Sequence, residues 1–70
     1  MLKEISIIAK NIKKYRAKMG ISQDKLSKLT GITLHTITKI ESGATPDPRI
    51  KTVKRIADAL GVGTDDLMKS

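Results

Sequence analysis

The sequence predicts an all-α fold, on three observations. Apolar residues recur at helical spacing almost throughout, no stretch shows a convincing strand alternation, and glycines at 20, 31, 43 and 61 cut the chain into helix-sized pieces. Seventy residues make at most one small domain, so residues 1–70 are read as a single unit. A fold of this size buries only roughly 60% of its unfolded surface, which leaves a thin core.

Ile5, Ile8, Ile12, Tyr15 and Met19 form one stripe of a first helix, with Lys10, Lys14 and Lys18 on another face and Gly20 as its stop. Ser22 is a natural N-cap for a short second helix, with Asp24 in its first turn, Leu26 and Leu29 facing inward and Gly31 at its end. Thr33 caps a third helix, and Gly43 can take the left-handed conformation that ends it. The run "ATPDPR" then breaks the pattern, and Asp47 before Pro48 reads as the N-cap and first position of a fourth helix. Ile50, Val53, Ile56, Ala57 and Leu60 form its buried stripe, closed by Gly61. Thr64 caps a last turn or two over "DDLMK". The result is five short helices with short connections, a compact all-α arrangement.

Composition narrows the function. Fourteen Lys and Arg against seven Asp and Glu give a net charge of +7, and the excess is uneven: residues 1–31 hold eight basic and two acidic groups. Such a balance favours a polyanion, either nucleic acid or an acidic membrane surface, over the plainer reading of a lysine-rich solubilising surface. One aromatic residue, Tyr15, is too few for base-stacking RNA modules. No cysteine and a single histidine leave no disulfide framework and no zinc site, so no metal or cofactor is expected. The longest apolar run, "ISIIA", falls far short of the ~20 residues of a membrane span, and "MLKEISIIAK" lacks the features of a signal peptide. A soluble cytoplasmic protein with no membrane partner is the expectation.

The second and third helices, joined by a tight turn containing Gly31, match the geometry of a helix-turn-helix. On a wheel of about 100° per residue, Thr33, Ile37 and Ile40 share one face of the third helix, flanked by Thr36 and Glu41. Leu34, His35, Thr38, Lys39 and Ser42 share the other. Lys39 can donate to guanine or to a phosphate, His35 and Thr38 can donate or accept at a base edge, and Leu34 suits a thymine methyl. A solvated helix face of mixed polar residues is the competing reading, against which an outward leucine argues for a partner.

The segments "IKKYRAKMGISQ", "LTGIT", "TITKIESG" and "IADALGVGTDDL" resemble the lambda-repressor/Cro-like helix-turn-helix family, also called the XRE family, over residues 11–68. The first ten residues extend the first helix beyond the usual start. The resemblance implies a five-helix lambda-repressor-like DNA-binding domain whose third helix docks in the major groove of double-stranded DNA. Carried over residue by residue, it implies base contacts from Thr33, Leu34, His35, Thr38 and Lys39. Ser22 and Gln23 would meet phosphate, the backbone around Gly43, Ala44 and Thr45 would lie along the phosphates, and Arg49 would reach toward the minor groove. Arg16 and Glu41 match a structural ion pair between the first helix and the end of the third. Family members commonly pair on near-palindromic operators, and Val62 and Met68 are candidates for such a homodimer contact, formed in solution or only on DNA.

The chain also departs from its relatives. Leu34 and His35 stand where Gln, Arg or Ser are frequent, so no target sequence can be borrowed. Ser27 replaces a usual small alanine, and the "ATPDPR" loop has a single basic residue. The implied function is a sequence-specific transcriptional regulator, a repressor or controller acting by operator occupancy. The competing readings are an antitoxin, with a toxin-binding surface among Ile5, Ile8, Val62 and Met68, and a protein-interaction module that has lost DNA binding. An enzyme is disfavoured because no convergent acid–base pair exists.

Overall fold

The structure, a computed structural model, describes residues 7–69. Five helices follow in order: α1 (Ile7–Met19), α2 (Gln23–Thr30), α3 (Leu34–Ser42), α4 (Ile50–Leu60) and α5 (Thr64–Met68), with no strand among the described residues. No helix among those residues is long and apolar enough to cross a membrane.

One core joins all five helices. Ile12 of α1, Leu26 of α2, Ile37 and Ile40 of α3, four residues of α4 (Val53, Ile56, Ala57, Leu60) and Leu67 of α5 are buried together. Ile8, Tyr15, Ile21, Ile32, Ala59 and Val62 cover this cluster from its edges. α1 packs against α3, α4 and α5, while α2 sits on α3 and α4. The short α5 is tied down by polar contacts as well as by Leu67. Asn11 on α1 donates its side-chain N–H groups to the carbonyls of Leu67 and Lys69, both at 2.7 Å, satisfying acceptors that a helix end leaves open.

Several expected positions differ. In α1, Ala9 is fully buried, whereas Met19 is 47% exposed because the chain turns away at Gly20 directly after it. Ile5 lies outside the described residues. In α2, Leu29 is 49% exposed: the inward line of this helix runs through Leu26, and Leu29 falls on the rim of a shallow groove with Arg55 and Ala59. Ile50 is 63% exposed at the first position of α4, a turn ahead of the buried Val53.

Two helix starts also move. The N-cap of α4 is Arg49, in extended conformation and without a side-chain cap, rather than Asp47. Buried packing in α4 begins only at Val53, whose N–H bonds the Arg49 carbonyl at 3.0 Å, so nothing in the core calls for an earlier turn. The N-cap of α5 is Gly63 rather than Thr64. The Asp66 carboxylate reaches back to accept the Gly63 N–H at 2.9 Å, which places the start one residue earlier.

Candidate nucleic-acid interface

The turn between α2 and α3 is a closed hydrogen-bonded unit. Ser22 caps α2 by accepting the Lys25 N–H at 3.0 Å. Gly31 ends that helix at φ +75°, a left-handed conformation open to glycine, and donates its N–H to the Ser27 carbonyl at 2.9 Å. Thr30 donates its hydroxyl to the Leu26 carbonyl at 2.9 Å and accepts the Ile32 N–H at 3.1 Å. Ser27, the departure from the usual alanine, donates its hydroxyl to the Ile32 carbonyl, so it ties the turn to α2. Thr33 then caps α3 by accepting the Thr36 N–H at 3.3 Å and donates its hydroxyl to Thr36 Oγ1 at 2.9 Å.

This turn fixes how α3 rotates. Ile37 and Ile40 are buried, and the opposite face is left to solvent. Leu34 is 42% exposed there, and His35, Thr38 and Lys39 are exposed beside it, while Thr33 is exposed as the N-cap ahead of the helix. A leucine held outward beside a cation, an imidazole and a hydroxyl gives one helix face apolar, donor and acceptor groups together. Lys39 makes no ion pair among the described residues, so its charge is available to a ligand.

Behind that face lies a polar network that spans three helices. Glu41 is only 2% exposed and takes Arg16 in a bidentate pair, Nε to Oε2 and Nη2 to Oε1, both at 2.9 Å. Arg16 also donates Nη1 to the Ile21 carbonyl at 3.0 Å, which locks the connection between α1 and α2. The hydrogen bonds to Glu41 raise the Arg16 pKa above its ordinary value; burial opposes that shift and the Glu41 charge adds to it. Gln23 joins the same carboxylate, Nε2 to Oε1 at 3.1 Å, and its own Oε1 accepts the Thr38 hydroxyl at 3.3 Å. Arg16 and Glu41 therefore meet as the resemblance implies, and Gln23 stands between them and the exposed face of α3. Neither the Gln23–Glu41 nor the Gln23–Thr38 contact has a local signal in the sequence, because the partners are far apart along the chain.

The loop after α3 is also internally bonded. Gly43, at φ +86°, donates to the Ile40 carbonyl at 3.2 Å, Ala44 to Ser42 Oγ at 3.3 Å and Thr45 to the Lys39 carbonyl at 3.1 Å. Thus the N–H groups of Gly43, Ala44 and Thr45, whose backbone the resemblance lays along the phosphates, already have partners within the protein. Arg49 is exposed and makes no ion pair among the described residues. Of the two candidate dimer residues, Val62 is half-buried against the core and Met68 is 49% exposed.

Comparisons with known proteins show the helix-turn-helix family. The family described as helix-turn-helix matches over residues 12–67. Among curated proteins the chain is similar to the SPbeta prophage-derived uncharacterized HTH-type transcriptional regulator YonR of Bacillus subtilis (strain 168), 35% identical over 63 residues. That similarity covers 90% of this chain and 57% of the relative, so the chain spans a little over half the length of the relative it matches. No solved structure matches.

Proposed function

The chain belongs to the lambda-repressor/Cro-like (XRE) helix-turn-helix family, and on that premise we propose that it is a sequence-specific regulator that binds double-stranded DNA with α3 in the major groove. The observation that carries this reading is the exposed face of α3. Leu34, His35, Thr38 and Lys39 project from a helix clamped on its other side by Ile37, Ile40 and the Arg16–Glu41 pair. A rigid helix with exposed base-reading chemistry on its free face suits direct readout.

Positioning on the backbone falls to other groups. The first N–H groups of α2, at Gln23 and Asp24, have no partner within the helix and favour a phosphate, while the Gln23 side chain is engaged inside the protein. The loop at Gly43–Thr45 lies along the phosphates by shape rather than by its N–H donors. Arg49 supplies a free cation for a narrow minor groove. Residues 1–70 act as one DNA-binding domain in the cytoplasm, and occupancy of the operator is the means of control. Two copies pair on an inverted repeat, with Met68 at the contact.

Titration into random duplex DNA at two salt concentrations tests the DNA reading. Affinity should fall steeply with salt as counterions are released; binding that ignores salt, or no binding, would overturn it. On a selected operator, Lys39→Ala and His35→Ala should each cost about 1–3 kcal/mol while sparing most non-specific affinity. If both variants held the operator as tightly as the parent chain, α3 would not be the reader.

A further inference from the structure

The hydrogen-bond network behind α3 has a direction, and that direction reaches the exposed face. Glu41, ionised in its bidentate pair with Arg16, can only accept. The Gln23 amide at 3.1 Å from Glu41 Oε1 must therefore present its NH2 group, since the flipped amide would set two acceptors against each other beside the buried Glu41 carboxylate, in a partly buried site. With the NH2 turned to Glu41, Gln23 Oε1 faces Thr38 Oγ1 at 3.3 Å. That oxygen carries no proton, so the bond forms only if Thr38 donates its hydroxyl hydrogen inward. What Thr38 has left for the groove is its lone pairs.

From this we infer that Thr38 is an acceptor-only reader, whose polarity is set by Glu41 through Gln23 as a positioning residue. It selects the strand that offers an exocyclic amino group, adenine N6 or cytosine N4, and opposes guanine O6 or thymine O4. The inference rests on the proposed docking of α3 in the major groove. A free threonine hydroxyl would serve either kind of base edge; the network removes that choice. A base pair and its inverted partner are thereby distinguished by a side chain that is otherwise neutral between them.

Base analogues test this directly. Operators are first selected from a random duplex pool with the parent chain and with Thr38→Val, an exposed change that keeps the shape of the side chain. The base pair whose preference is lost in Thr38→Val is the one Thr38 reads. At that pair the amino group is deleted, as purine for adenine or 2-pyrimidinone for cytosine, and separately the carbonyl oxygen on the opposite strand is deleted. Loss of the amino group should weaken the parent chain roughly five- to tenfold and leave Thr38→Val unchanged. Loss of the carbonyl should not reproduce that difference. Gln23→Ala, read as the affinity ratio between the pair and its inversion, should lower that ratio toward one.

If carbonyl deletion carries the Thr38-dependent loss, if no pair depends on Thr38, or if Gln23→Ala keeps the full ratio, the inference is overturned while sequence-specific binding stands. If the parent chain selects no shared sequence at all, the functional reading itself fails and takes the inference with it.

Discussion

Glu41 is the one buried charged side chain among the described residues, and its environment decides what its loss would do. Removing it leaves the Arg16 guanidinium, whose side chain is 21% exposed, without its partner and frees the Gln23 amide. Breaking a buried pair from one side costs about 3–5 kcal/mol, and the partial exposure of Arg16 lowers the expectation for Glu41→Ala to about 2–4 kcal/mol. In a chain this short, a melting curve should show the change as a fall of more than about 10 °C; an unchanged curve would mean that the pair does not hold α1 to α3. Because the Arg16 pKa is raised in the fold, its contribution is fully present below the ordinary arginine range and is lost only as pH rises through the higher folded value. The sequence marks Glu41 only as a flanking position on a wheel; its pairing with Arg16 comes from family resemblance, and its contact with Gln23 from neither. Periodicity also misplaces Met19, Leu29 and Ile50, since it reports which side of a helix is apolar and not how far a neighbouring element extends over it. Ile50→Ser should accordingly change stability by less than about 0.5 kcal/mol, against about 2–5 kcal/mol for Ile56→Ala in the core. Comparable losses in the two variants would show that Ile50 is covered after all.

At the level of elements, the turn between α2 and α3 is where local chemistry and reading geometry coincide. The positive φ of Gly31 and the caps at Ser22 and Thr33 are legible in the sequence because glycine and hydroxyl side chains act within a few residues of themselves. The starts of α4 and α5 are less so. The Asp47–Pro48 signal is local, whereas the helix begins where Val53 must be buried, and the Asp66 carboxylate outweighs Thr64 as the feature that opens α5. Gly31 also separates two sources of strain. A Cβ added there meets nothing within 4 Å, so Gly31→Ala tests backbone conformation alone. It should cost about 1–2 kcal/mol from the left-handed φ, with Thr33→Ala costing about 1 kcal/mol from the lost cap. Thermal melts of both variants check these values. A Gly31→Ala protein as stable as the parent would mean that the turn has relaxed to another conformation, and its operator affinity should then fall as α3 rotates.

Across the whole molecule, charge is the property that the fold leaves exposed. The described acidic residues are largely occupied: Asp24 pairs with Lys28, Asp58 with Lys54, Asp66 with Lys69 and Glu41 with Arg16. Lys10, Lys13, Lys14 and Lys18 on α1, together with Lys39 and Arg49, make no ion pair among the described residues. Two free copies, each carrying a net charge of +7, repel one another, and Met68 offers only a small apolar contact against that repulsion. Phosphates neutralise the excess, so pairing should appear on DNA and not before it. The described residues measure 36 × 23 × 23 Å, so with a 23 Å dimension along the duplex one copy fits on each of two half-sites about 34 Å, one DNA turn, apart. Sedimentation of the free chain at micromolar concentration should therefore give a monomer, and a duplex with an inverted repeat should bind two copies cooperatively. Each added copy brings its own phosphate contacts, so the slope of log affinity against log salt should be about twice as steep for the full repeat as for a single half-site. A stable dimer in the absence of DNA, or one copy per full site with an undivided slope, would replace pairing on DNA with a different mode of assembly.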